Sequence, residues 1–183
     1  MGRRRHSFWK RYLAGVAGGA AGTLAMGLYM KGIQSLKGGG EQSSGETPQQ
    51  PKQHNVSLIG RRHEEGEPPT AAVARILYRT IARRDAPPET ARKLGNVVHW
   101  TYGIKMGGAY GLIHRRGRKL DVLGGAAYGV ALWALGDEVA LPLLGLAEGP
   151  KAYPKSLHAE MFGAHIVYGV TTAAVSHLVE RAL

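Results

Sequence analysis

YLAGVAGGAAGTLAMGLYMKGI, residues 12–33, carries a single charge, Lys31, close to its end. A helix rises 1.5 Å per residue, so about 20 apolar residues cover the roughly 30 Å of bilayer hydrocarbon. Three further windows have the same Gly/Ala-rich character: residues 96–113, 122–146 and 159–179. None is dense in Leu or Ile, and the second carries Lys105 near its centre, so each is a weak span alone and the case rests on their number and likeness. A soluble, Gly-rich helical bundle is the alternative reading.

The mean hydropathy of −0.19 hides this segregation, because the polar stretch 34–95 offsets the apolar windows. Arg3, Arg4, Arg5, Lys10 and Arg11 precede the first window, and Arg115, Arg116, Arg118 and Lys119 fill the connection between the second and third. Basic residues in short connections stay cytoplasmic. The expected fold is therefore an all-α bundle of four transmembrane helices in the inner (plasma) membrane, with both termini cytoplasmic. Its parts are a basic N-terminus (1–11), span one (12–33), a flexible polar external loop (34–69), amphipathic and connecting helices (70–95), span two (96–113), a basic cytoplasmic loop (114–121), span three (122–146), an external loop (147–158), and span four with the C-terminus (159–183). A cleaved signal is the lesser reading of the N-terminus: Phe8 stands one residue too far from Arg4-Arg5 for a twin-arginine signal, and no small-x-small cleavage site follows.

The net charge of +11 raises nucleic acid as a partner, but its distribution favours the lipid bilayer. With no cysteine in the chain, disulfides and thiolate chemistry are excluded.

His99-Trp100-Thr101-Tyr102-Gly103 recurs as His165-Ile166-Val167-Tyr168-Gly169, and Gly18-Gly19-Ala20-Ala21 as Gly124-Gly125-Ala126-Ala127. Spans one and two thus resemble three and four, as in a parallel two-helix duplication; chance likeness between Gly/Ala-rich helices is the alternative reading. Gly15, Gly19, Gly103, Gly107, Gly111, Gly125 and Gly129 fall at small-xxx-small spacing, which lets helices approach closely in lipid. They serve packing within the bundle first; a homo-oligomer or a larger membrane complex is the second use.

In the long connection, Val73, Ile76, Leu77 and Ile81 share one helical face and Arg75, Arg79 and Arg83 another, as in a helix lying among lipid headgroups. Packing over the bundle or docking a partner are the alternatives.

Ionisable groups are costly in hydrocarbon and tend to mark a pathway or a pairing. The candidates are His99, Lys105, Asp137, Glu138, Glu160 and His165, most of them in the outer third of the spans. Pro142 should free the carbonyl of Glu138 and kink the third span, a setting suited to a cation or a proton relay. The plainer reading pairs Asp137 and Glu138 with His99 or His165. His158 and His165 lie two turns apart, too far for one metal ion without help from other helices. No phosphate loop, nucleophile elbow or dinucleotide fingerprint is present, so no cofactor is implied and catalysis is unsupported, short of acid–base work by His99 or His165.

The series His99-Trp100-Thr101-Tyr102-Gly103, Gly124-Gly125-Ala126-Ala127-Tyr128-Gly129, Trp133, Asp137-Glu138, Pro142, Gly145-Leu146, Tyr153-Pro154, His158 and His165-Ile166-Val167-Tyr168-Gly169 resembles YagU-like bacterial inner-membrane proteins over about 68–179. The resemblance implies a bacterial plasma-membrane location and a compact multi-helix fold, and no biochemistry. The expected function is proton or cation translocation, or small polar ligand binding, at the His/carboxylate layer; a structural or accessory subunit assembling through Gly faces is the alternative.

Overall fold

The computed structural model describes residues 2–37, 54–114 and 121–183, with side chains from Phe8 onward. Arg115, Arg116, Arg118 and Lys119, residues 38–53, and the side chains of Arg3, Arg4 and Arg5 lie outside the described residues. Among those described there is no strand. The chain forms α1 (Gly2–Leu36), α2 (Pro69–Ala82), α3 (Pro88–Ile113), α4 (Val122–Leu132), a π-helix (Trp133–Ala140), the single turn α5 (Leu141–Leu143), a 3₁₀ turn (Pro150–Ala152) and α6 (Lys155–Ala182).

Among the described residues, two helical stretches are long and apolar enough to cross a membrane, Phe8–Leu36 and Lys155–Ala182, where the sequence leads one to expect four. The difference has local causes. The second window, within α3, carries Asn96, His99 and Lys105 among glycines and tyrosines, so it is too polar to qualify. The third window is broken into 11 α, 8 π and 3 α residues.

The residues group into two compact units. The first comprises Met1–Ile33, Trp100–Leu132 and Glu160–Leu183. Its helices meet backbone to backbone. A Cβ built on Gly107 of α3 would lie 2.3 Å from the Cα of Gly19 and 2.4 Å from the carbonyl oxygen of Gly15, both on α1, so the glycines permit this approach. The neighbouring stripe of α1, Gly18 and Gly22, faces Thr172, Ser176 and Tyr168 of α6. Gly125 and Gly129 of α4 face the carbonyls of Gly169 and His165.

These contacts repeat. A Cβ on Gly19 would meet the Gly103 oxygen at 2.6 Å and the Gly107 Cα at 2.8 Å; one on Gly125, its counterpart, would meet the Gly169 oxygen and the Ala173 Cβ, each at 2.7 Å. The two matched helix pairs therefore use the same residues of the repeat to touch. Buried Tyr168 donates its hydroxyl hydrogen to the Gly103 carbonyl at 2.6 Å, and Tyr128 does the same to Met106 at 2.6 Å, fixing α6 and α4 to α3. Arg11 donates to the carbonyls of Gly111 (3.0 Å) and His114 (2.6 Å), satisfying groups that the last turn of α3 leaves without helical partners.

The second unit comprises Gln34–His99 and Trp133–Ala159. Pro69 opens α2, since a helix's first residue needs no N–H partner, and Arg83 closes it in the left-handed region (φ 53°) with its N–H on the Arg79 carbonyl at 3.0 Å. The face of α2 that packs is built of small residues, Ala71, Ala72 and Ala74, with Ala71 against Gly95 of α3. Leu77 and Ile81 remain 50% and 81% exposed.

Within the loop 34–69 read as flexible, the described residues 54–67 run along the segment 143–149. Leu58 donates to the Leu143 carbonyl (3.0 Å), Arg62 to Gly145 (2.8 Å), and Gly149 to His54 (2.8 Å). Gly145 is required here: it has φ +69° and lies so close to Gly60 that any Cβ would collide with the carbonyl.

Candidate functional site

Pro142 is buried in the turn that follows the π-helix. A proline has no N–H to give and its ring crowds the carbonyl four residues back, which is that of Glu138. Over Trp133–Ala140 the chain widens into i→i+5 register, a distortion found mostly as short insertions at functional positions. Asp137 and Glu138 lie in this widened segment.

Glu138 is paired with His158, at the start of α6, through Oε1 and Nδ1 2.7 Å apart. The other ring nitrogen, Nε2, is 2.9 Å from the Pro150 carbonyl. A carbonyl only accepts, so Nε2 carries a hydrogen and donates it. The short Nδ1–Oε1 contact then needs one proton between two acceptors: imidazolium with carboxylate, or imidazole with carboxylic acid. Tyr153 stands edge-on to the His158 ring, centroids 6.3 Å apart. Burial first, and the nearby charge of Glu138 second, push the Tyr153 phenol above its ordinary range, so it stays a neutral neighbour.

The Tyr153 oxygen also accepts the Glu148 N–H at 3.2 Å, leading to a second group. The Glu148 side chain is 3% exposed and receives Arg61 and the backbone N–H of His54 at 2.8 Å, with His63 Nε2 3.4 Å from Oε1. His63 Nδ1 sits 2.9 Å from the Gly145 carbonyl, which assigns the hydrogen to that nitrogen. A carboxylate so deeply buried is tolerated because a guanidinium and a backbone N–H donate to it. Nearby, Arg75 grips Glu67 with two bonds of 2.8 Å and reaches Glu64 at 3.5 Å. Burial alone would raise the Glu67 carboxyl, but the Arg75 side chain, the Glu64 N–H and the charges of Arg75 and His63 hold it below its usual range. Its hydrogen bond to Glu67 raises Arg75 further, against an opposing effect of burial.

Of the residues singled out from sequence, His99, Asp137 and Glu138 fall in the second unit and Lys105, Glu160 and His165 in the first. Glu138 takes His158, rather than His99 or His165. His165 places Nδ1 2.8 Å from the Met161 carbonyl one turn back, and Lys105 is exposed. His99, Asp137 and Glu160 are half-buried, and each is engaged with neighbours. Glu148, Arg61 and His63 were not among the sequence candidates; their one signal is Arg61-Arg62-His63-Glu64 standing inside an otherwise linker-like stretch. Among the described residues, no three His, Asp or Glu side chains converge in a way that could hold a metal ion.

No curated protein and no solved structure matches the chain. A family model described as "Protein of unknown function (DUF1440)" matches residues 61–174, a span that takes in Arg61, His63, Glu138, Glu148 and His158. The chain belongs to that family.

Proposed function

We propose that this is a multi-pass protein of the bacterial inner membrane, crossing four times with both termini cytoplasmic, and that its work is the handling of protons at a His/carboxylate layer centred on Glu138 and His158. The membrane placement is supported by where the apolar side chains lie. In both span-length helices only 33% of the apolar window is buried, whereas a soluble protein's core helix is mostly buried. Leu24 and Leu28 on α1, Leu123 on α4, Leu135 on the π-helix and Leu178 on α6 all face outward. The YagU-like resemblance points the same way.

The observation that carries the proton reading is the 2.7 Å contact between Glu138 Oε1 and His158 Nδ1, in a helix widened at that point. An acid and a base in direct contact, with Nε2 committed to Pro150, can pass a proton between them and release it when the carboxylate or ring moves. His99 and Asp137, in the same unit, are the next members of the layer to test.

The test is proton flux into vesicles of phosphatidylethanolamine and phosphatidylglycerol containing the full-length protein and a trapped pH dye, driven by a potassium–valinomycin potential. Wild type should acidify the lumen faster than empty vesicles, and Glu138→Gln and His158→Phe should abolish the excess. Flux no greater than in empty vesicles, or unaltered in both variants, refutes the reading.

The assembly reading is favoured by one observation: Gly27 and Gly32 of α1 have nothing within 4 Å and adjoin exposed Leu28. A cross-linked homo-oligomer lost on Gly27→Leu, alongside absent proton flux, would establish it instead.

A further inference from the structure

Within the second unit, residues 61–64 and one side of α2 line a cavity of about 780 Å³. That is the size of a small-molecule site. Its lining includes five arginines, Arg61, Arg62, Arg75, Arg79 and Arg83, together with His63. Three carboxylates touch them: Glu148 on Arg61, and Glu67 and Glu64 on Arg75. The cavity keeps a surplus of two positive charges before His63 is counted. Asp85 acts on Arg75 from beyond the wall and does not cancel the remainder. Arg62, Arg79 and Arg83 have no carboxylate partner among the described residues.

Like charges gathered around one space repel each other, and the fold alone does not call for the arrangement. The C-terminal dipole of α2 favours a cation in its last turn, which accounts for Arg79. It does not account for Arg62, which lies off the helix, or for the convergence of all three on the cavity. Arg75, meanwhile, is held rigidly by its paired bonds to Glu67, so one fork is already oriented before anything binds. A guanidinium presents a planar set of donors matched to the oxygens of a phosphate, and several together suit a group with more than one negative oxygen.

We infer that this cavity binds a phosphate-bearing anion, with Arg62, Arg79 and Arg83 as the direct contacts and Arg75 as an oriented wall. The phosphate comes from one of two sources, a soluble phosphate or an anionic lipid headgroup. Ile76 in the wall and the exposed Leu77 and Ile81 beside it would suit the apolar part of a lipid. Neither source depends on the proton pair at Glu138.

The experiment uses the full-length protein in neutral maltoside micelles, titrated separately with inorganic phosphate and with dioleoyl phosphatidylglycerol, with dioleoyl phosphatidylcholine as the zwitterionic reference. Native mass spectrometry counts the bound anion. At least one anionic probe should bind saturably, and Arg79→Ala/Arg83→Ala should weaken it by about tenfold or more, since each lost charged hydrogen bond is worth about that factor. Arg92→Ala/Lys93→Ala, which removes the same charge from exposed positions of α3 that do not line the cavity, should leave affinity unchanged. Binding of phosphate alone identifies a soluble source; binding of phosphatidylglycerol alone identifies a lipid. Should the Arg79/Arg83 variant aggregate, Arg62→Gln gives the same reading from outside the helix. The inference fails if neither probe saturates, if both double variants lose affinity alike, or if Arg62→Gln in that case binds as wild type.

Discussion

Replacing Gly107 by alanine places a methyl group where α3 meets α1. The new carbon would lie 2.3 Å from Gly19 Cα, 2.4 Å from Gly15 O and 2.5 Å from Gly19 N, whereas ordinary contact begins at 3.4 Å. The deficit at the closest atom is 1.1 Å, from 3.4 less 2.3, and all three neighbours are backbone, so no side chain can swing aside. The helices must part by about an ångström along the line of Gly15 and Gly19, forfeiting contacts that bare backbones alone can make. Overpacking of this kind costs about 1–3 kcal/mol, and alanine's better helix propensity returns at most about 1 kcal/mol. A net loss of about 1–2 kcal/mol corresponds to roughly 2–8 °C in a chain of this length. Gly27→Ala in α1 is the matched control: a Cβ there has nothing within 4 Å, so the propensity gain is unopposed and Tm should hold or rise slightly. Both variants are heated in the same mild detergent and followed by tryptophan fluorescence, with size exclusion to exclude aggregation. A Gly107→Ala protein as stable as wild type, or an equal fall in Gly27→Ala, refutes the backbone-contact reasoning.

If the repeated contacts are equivalent in energy as well as geometry, Gly19→Ala and Gly125→Ala should destabilise within about 1 kcal/mol of each other by the same melting assay, given that each Cβ meets two atoms at 2.6–2.8 Å. Glu148→Ala strands the His54 N–H and leaves Arg61 and His63 without their anion. Because Arg61 is 35% exposed and can turn to water, the loss should be about 2–4 kcal/mol, with Glu148→Gln intermediate, in chemical denaturation. Glu67 sets an acid limit: its folded pKa lies below its ordinary 4.5, so its contribution is complete above that value and disappears as pH falls through the lower folded one. Stability measured from pH 6 downward should therefore fall less steeply in Glu67→Gln than in wild type.

The parts of the fold legible in sequence were those governed by local spacing. Small residues at every fourth position can be read directly, and Gly15, Gly19, Gly107 and Gly125 stand where backbones approach, because such approach depends on the absence of a side chain and little else. Proline in the third window announced a disturbance near Glu138, but not that the helix would widen instead of bending. Pairings between distant segments were hidden. Arg61 and Glu148 are 87 residues apart, and nothing at either position names the other. The same holds for His158, which sequence spacing measured against His165 on its own helix while its partner stood on another. Composition, too, was deceptive: Gly, Ser, Glu and Pro gave residues 54–67 the look of a linker, yet backbone hydrogen bonds to 143–149 hold them without needing apolar side chains.

The repeat sharpens where chemistry should be sought, because its two halves agree in packing and disagree in charge. Carrying the register forward from Gly19 and Gly125 aligns Lys31 and Gly32 with Asp137 and Glu138, and Leu36 with Pro142. Carrying it back from Gly103 and Gly169 aligns Arg92 with His158. In the first half, then, the positions of the proton-sharing pair hold a glycine and a cation, and α1 runs as unbroken α-helix through Gly2–Leu36 with no widened segment. Tyr168 is buried against Gly103 while its counterpart Tyr102 is 49% exposed. A likeness that served only packing would give no reason for the halves to differ at Glu138, His158 and Pro142 together. Departures from local rules concentrate where a protein works. A chain with Glu138→Gly and Pro142→Leu, which restores the first half's residues at those two positions, should therefore regain a regular α-helix and at least wild-type stability while losing all proton flux above empty vesicles. Retained flux in that chain would mean that the pair is structural and that the asymmetry has another cause.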